Sequence, residues 1–126
     1  MKDFSLGKTE RLKQLNVIRT LFNDGKSIVA FPLRAVFHLK DRDDRQPVAS
    51  MMVSVPKRYF KHAVDRNHIK RQVREAFRLN KQLLQLPEDK HADIAFVWLD
   101  EKQYETKLVE RKVKKLLIRM SEVKKA

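Results

Sequence analysis

The sequence predicts an α+β fold, an α/β sandwich in which three helices pack on a mixed sheet of four or so strands. Apolar residues recur at helical spacing in three separate stretches, strand-like patterns lie between them, and turn residues divide one from the next. The 126 residues contain no repeat, no low-complexity segment and no linker, so 1–126 is expected to be a single domain with flexible ends at about 1–8 and 122–126.

Leu12, Leu15, Ile18, Leu21 and Phe22 place a first helix over 11–24, closed by Asp24-Gly25, where the glycine suits a left-handed helix end. From Phe31 the period changes to two: Phe31, Leu33, Ala35, Phe37 and Leu39 share one face, and Arg34, Val36, His38 and Lys40 the other. "VASMMVSV", residues 48–55, is a second strand, expected to pair with the first as an antiparallel hairpin across the polar "DRDDRQP". Pro56 ends it. A long helix spans about Arg66 to Leu84 before Leu86-Pro87, and the continuous apolar run "ADIAFVWLD", 92–100, is a central strand buried on both faces. Leu108, Val109, Val113, Leu116, Leu117 and Met120 form the stripe of a closing helix. The order is α-β-β-(β)-α-β-α, with the extra short strand placed near Ser27 to Ala30.

Lys and Arg number 29 against 16 acidic residues, a formal charge of +13. Such an excess repels itself in a folded chain and points to a polyanionic partner. No apolar run reaches the roughly 20 residues of a membrane span. The N-terminal "MKDFSLGKTERLK" has no apolar core of a signal peptide, and the chain is expected in the cytoplasm. Without cysteine there is no disulfide, thiolate metal site or thiol nucleophile.

The charge concentrates between Lys57 and Lys81, with nine Lys or Arg and two acidic residues. At 100° per residue, Arg66, Asn67, Lys70, Arg71, Arg74, Arg78 and Lys81 fall within an arc of about 140°, and Ile69, Val73, Ala76, Phe77 and Leu79 occupy a separate arc that reaches only the edge of the first. Arg66, Lys70, Arg74 and Arg78 stand four apart and repel, whereas an ordinary solvated face mixes signs. Arginine predominates, and its planar fork suits phosphate oxygens. Membrane binding would need the apolar face of this helix free, while the sheet needs it as cover.

"SVPKRYFKHAVDRNHIKRQVREAFRLNK" resembles the signature of the bacterial ribonuclease P protein subunit, with Arg66-Asn67, Lys70-Arg71 and Arg74-Glu75 in the basic motif and Val53-Ser54-Val55 with Lys57 before it. The stretch from Leu12 to Ser27, with Phe22 to Gly25 as "F-x-x-G", resembles the first helix of that family. The resemblance implies an RNA-binding subunit of an endoribonuclease. Its RNA, with magnesium held by that RNA and the substrate, removes the 5′ leader of precursor tRNA, and no catalytic residue lies in the protein. It implies contacts to the catalytic RNA from Arg66, Asn67, His68, Lys70, Arg71, Arg74 and Arg78. It also implies a leader cleft lined by Ile18, Phe22 and Phe37, with Ser54 and Lys57 at its edge, and a left-handed β-α-β crossover. Two positions depart from the pattern: His68 stands where the family has arginine, and Ile18 where an aromatic is common.

From periodicity alone Phe22, Phe31, Phe37 and Trp98 are core residues. His38, His62, His68 and His91 have no metal-ligand spacing, and Asp41, Asp43 and Asp44 fall in a turn where acids are ordinary, so no metal site is expected in the protein. Ser54 has no recognisable triad partners, and Gly7 and Gly25 make no phosphate loop. The partners expected are ribonuclease P RNA and precursor tRNA, with no membrane and no DNA, since an arginine-lined helix lacks the mixed polar residues that read base edges. The alternative reading is a general RNA-binding or ribosome-associated protein with no part in cleavage.

Overall fold

The computed structural model describes residues 15–43 and 47–123. Its elements are α1 (Leu15–Asp24), β1 (Lys26–Ala30), β2 (Leu33–Asp41), β3 (Ala49–Ser54), α2 (Ala63–Asn80), β4 (Lys90–Trp98) and α3 (Thr106–Val123). A 3-10 turn, Lys81–Leu83, ends the long helix earlier than its apolar pattern indicated. Residues 11–14 of the expected first helix and the expected flexible end 1–8 lie outside the described residues, as do 124–126, whereas Glu122 still belongs to α3.

The four strands form one mixed sheet in the order β1-β2-β4-β3. The short strand near Ser27 is real, and it pairs antiparallel with β2 from Lys26↔Phe37 to Ala30↔Leu33. The expected hairpin of β2 with β3 does not form. β4 lies between them, antiparallel to β2 (Ala35↔Phe96) and parallel to β3 (Val53↔Phe96). The reason is in β4 itself: Ala92 to Phe96 and Trp98 are all buried, and a strand with no solvent face belongs in the middle of a sheet. Its parallel partner is then reached through α2, as a β-α-β unit requires.

Alternation along the strands divides the sheet into two faces. On one, Leu33, Ala35 and Phe37 of β2, Met51 and Val53 of β3 and Ile94, Phe96 and Trp98 of β4 form the main core with Ile69, Val73 and Phe77 of α2 and Val109, Val113, Leu116 and Leu117 of α3. Phe77 meets Phe96 edge to face at 6.1 Å, and Gln72 donates from Nε2 to Tyr104 O at 3.0 Å and Thr106 Oγ1 at 3.2 Å, joining α2 to the start of α3. On the other face, among the described residues, α1 alone packs, through a small cluster of Leu21, Val36 and Ala95 with Met52 against it. Phe31, assigned to the strand by its period, sits instead in the β1–β2 turn before Pro32 and is exposed.

Gly25 accounts for the junction of α1 with the sheet, for a reason other than the left-handed end its position suggested. No glycine among the described residues has positive φ. A Cβ at Gly25 would stand 2.3 Å from Leu21 O, 3.0 Å from Phe37 O and 3.0 Å from Val36 Cγ1, so the chain turns from α1 into β1 with its backbone pressed on β2.

Candidate nucleic-acid interface

The core positions of α2 are buried: Ile69, Gln72, Val73, Ala76, Phe77 and Asn80. Since these hold the helix to the sheet and α3, the cationic arc faces outward. Asn67 and Arg71 are exposed and Lys70 and Arg74 partly so. Among the described residues no ion pair holds Lys70 or Arg71. Arg78 is gripped by Glu75 in a fork, Nη2 to Oε2 at 2.8 Å and Nε to Oε1 at 3.2 Å. The hydrogen bond from Arg78, helped by the charges of Arg78 and Arg71, holds the Glu75 carboxyl below its ordinary value against a smaller effect of burial.

Arg66 differs from its neighbours. Its Nη1 donates to Phe60 O at 2.7 Å and Lys61 O at 3.1 Å, so the guanidinium fastens the loop between β3 and α2 to the helix. Phe60 anchors that loop in the core, and Lys57, Arg58 and Lys61 are left exposed on it. His68 lies outside the arc, on a flank shared with Glu75 and Leu79 at 100° per residue, and all three are exposed.

The register defines the face beneath α1. One row across it is Ser27, Val36, Ala95 and Met52, which Leu21 covers; the next is Val29, Arg34, Val97 and Ser54. That second row is open: Val29 and Arg34 are exposed, and Val97 and Ser54 half-buried. Ile18 is half-buried on α1, Phe22 is 43% exposed, and Lys57 is exposed just beyond the end of β3. Phe37, named with these from the resemblance, is 2% exposed and lies in the main core. It points to the other face because Val36, one residue earlier in the strand, is the one beneath Leu21. Arg34, whose Nε donates to Ser27 Oγ at 2.7 Å, takes a place in this row that sequence reasoning did not assign. Its position on the polar side of the period-two pattern was the signal.

On its other flank α1 borders a pocket of about 280 Å³ lined by Asn16, Val17, Thr20, His38, Lys40 and Asp93. Asp93, 3% exposed, receives Lys40 Nζ at 2.5 Å and faces His91 Nε2 at 3.0 Å, while His91 Nδ1 lies 2.7 Å from Pro47 O. Burial alone would raise the Asp93 carboxyl, but the hydrogen bonds and charges of His91 and Lys40 outweigh it and hold it below the ordinary value. A carboxyl lowered on folding binds fewer protons in the native state, so its stabilisation is present above the unfolded value of 3.8 and is lost as pH falls through the lowered native one. Asp93→Asn is expected to lower stability by about 1–2 kcal/mol at neutral pH, less than for a fully buried pair because Lys40 still reaches solvent. In urea unfolding, the gap between the wild type and this variant should be steady at neutral pH and narrow as pH falls below the unfolded value of 3.8; a gap independent of pH would mean that Asp93 is uncharged in the fold.

Among the described residues no group of His, Cys, Asp or Glu is placed to hold a metal ion, and no helix is long and apolar enough to cross a membrane. The ribonuclease P family model matches residues 6–121. The chain is 45% identical to the ribonuclease P protein component of Porphyromonas gingivalis over 121 residues, covering 94% of this chain and 88% of that one. It superposes on the ribonuclease P protein of Thermotoga maritima with a TM-score of 0.69 at 26% identity, over 87% of this chain and 96% of that one. The protein from Staphylococcus aureus shares the fold at a TM-score of 0.69 and 20% identity, over 90% of this chain and 96% of that one.

Proposed function

The chain belongs to the ribonuclease P protein family, subunits of the endoribonuclease that matures the 5′ ends of tRNA, and from that premise we propose a division of labour between its two faces. Lys70, Arg71 and Arg74 of the α2 arc neutralise phosphates of the ribonuclease P RNA, with Asn67 beside them as a hydrogen-bond donor and the exposed Lys57, Arg58 and Lys61 of the preceding loop extending the arc. Arg66 orders that loop from within, and Arg78 joins the arc only by giving up its grip on Glu75. The open row on the α1 face, with Phe22 and Ile18 above it and Lys57 at its edge, receives the single-stranded leader of precursor tRNA. Magnesium and the hydrolytic step belong to the RNA and substrate, and the site of action is the cytoplasm.

The observation that carries this reading is the outward, like-signed arc on a helix whose Ile69, Val73, Ala76 and Phe77 are all buried in the core. Residues 1–126 act as one RNA-binding domain. Phe22 supports the leader role because it is an exposed aromatic on the helix that covers this face of the sheet, and base stacking on such a ring contributes about 1–3 kcal/mol per base without regard to sequence. With bacterial ribonuclease P RNA at low magnesium, the wild-type protein should restore correct 5′ cleavage of precursor tRNA. Phe22→Ala should bind precursor about tenfold less tightly or worse while leaving affinity for mature tRNA unchanged. Equal loss for both substrates would remove Phe22 from the leader site, and no stimulation by the wild type would favour an RNA-binding role outside cleavage.

A further inference from the structure

We propose that the outward face of α3 is a second contact for an RNA phosphate backbone, separate from the arc on α2; in taking RNA as the polyanion it rests on the function proposed above. Lys107, Arg111, Lys114, Lys115, Ile118 and Glu122 are the exposed residues of one stripe along this helix. The opposite side, Val109, Val113, Leu116, Leu117 and Met120, is fully buried. Lys114 reaches Glu110 at 3.5 Å, but among the described residues no ion pair holds Lys107, Arg111 or Lys115.

These charges do not serve the helix. Lys107, Arg111 and Lys115 stand four apart and repel one another. Lys107 lies in the first turn, where the helix dipole disfavours a cation; that turn holds no acidic residue, and the acid at this end is Glu105, just before the helix. α2 shows the opposite arrangement, with Asp65 in its first turn and Arg78 in its last. A row of cations that opposes both local rules is stabilised by an external anion, and its spacing of about 6 Å along the axis is close to that of successive phosphates on a strand.

The stripe is not a continuation of the α2 arc. Gln72 marks the side of α2 that meets α3, and at 100° per residue His68, Glu75 and Leu79 intervene between Gln72 and the arginines. An acidic residue thus separates the two cationic surfaces. A lipid surface is the weaker partner, because the apolar side of α3 is in the core and, among its residues whose burial is described, Ile118 is the one large apolar side chain that is exposed.

The test titrates the full-length protein with ribonuclease P RNA over a range of salt concentrations, using the triple variant Lys107→Gln, Arg111→Gln, Lys115→Gln beside Lys70→Gln, Arg71→Gln, Arg74→Gln. The α3 variant is expected to bind about tenfold more weakly at low salt, with a log K against log salt slope shallower by about 2–3. Its urea midpoint should be unchanged or higher, since repulsion has been removed. A photo-crosslinker at position 111 should label an RNA segment different from that labelled from position 71. Wild-type affinity and slope in the α3 variant, with both lost in the α2 variant, would overturn the α3 contact and leave the proposed function standing. No change in either variant would overturn both. Binding of the wild type to phosphatidylglycerol vesicles that the α3 variant loses, with RNA affinity intact, would replace RNA by an anionic lipid surface.

Discussion

Replacing Lys70, Arg71 and Arg74 together by glutamine is expected to weaken association with ribonuclease P RNA by about a hundredfold at low salt and to flatten its salt dependence by about 2–3 in log–log slope. Each cation that meets a phosphate releases counterions, so the loss should shrink as salt rises and all variants converge. Arg66→Ala should behave differently. Its guanidinium is bound to the carbonyls of Phe60 and Lys61, so its removal frees the β3–α2 loop and leaves the outward cationic arc almost intact. The expected result is weaker binding with a nearly unchanged salt slope and a lowered urea midpoint. The measurement is fluorescence titration of labelled RNA at four or more salt concentrations. A full decrease in slope from Arg66→Ala, with none from the triple variant, would reverse the assignment of the two roles.

The contrast between Arg66 and Lys70 also shows where a sequence is and is not informative. Helical spacing separates the cationic arc of α2 from its apolar side, because both depend on rotation about one axis, and the structure keeps that separation. Spacing does not tell a guanidinium aimed at solvent from one aimed at a carbonyl five or six residues back. The same limit applies to Phe37. Period two places Val36 and Phe37 on opposite faces, but which face lies under α1 depends on where Leu21 lands, and that is tertiary. The hairpin expectation failed for a related reason: nothing local to β2 and β3 excludes their pairing, and the competitor, β4, lies 36 residues beyond Ser54 at its first residue, Lys90. Asp93, inside a run whose pattern is apolar throughout, is a further case: the register sets His38 opposite it, and its partners are Lys40, two residues along β2, and His91, two residues earlier in β4.

Gly25→Ala is expected to disable the proposed leader site while sparing most of the fold. Removing conformational freedom from the unfolded chain would by itself stabilise the variant by about 0.4–1 kcal/mol, but the new Cβ meets the backbone oxygen of Leu21 at 2.3 Å and that of Phe37 at 3.0 Å. Backbone cannot swing aside as a side-chain tip can, and overpacking of this kind costs about 1–3 kcal/mol, so the clash prevails. What yields is decided by what holds α1. Leu21 is its one buried residue, worth about 1.5–3 kcal/mol, the same size as the clash, whereas the core between the sheet, α2 and α3 is far larger. α1 should therefore lift from Val36 and Ala95 before the rest of the chain responds. Hydrogen exchange should show lost protection in α1 and unchanged protection in β4 and α3. Affinity for the ribonuclease P RNA should remain near that of the wild type, and preference for precursor over mature tRNA should fall about tenfold or more, because Phe22 and Ile18 leave the open row with the helix. Wild-type leader preference in a variant whose α1 has lost protection would show that the leader binds elsewhere on the protein.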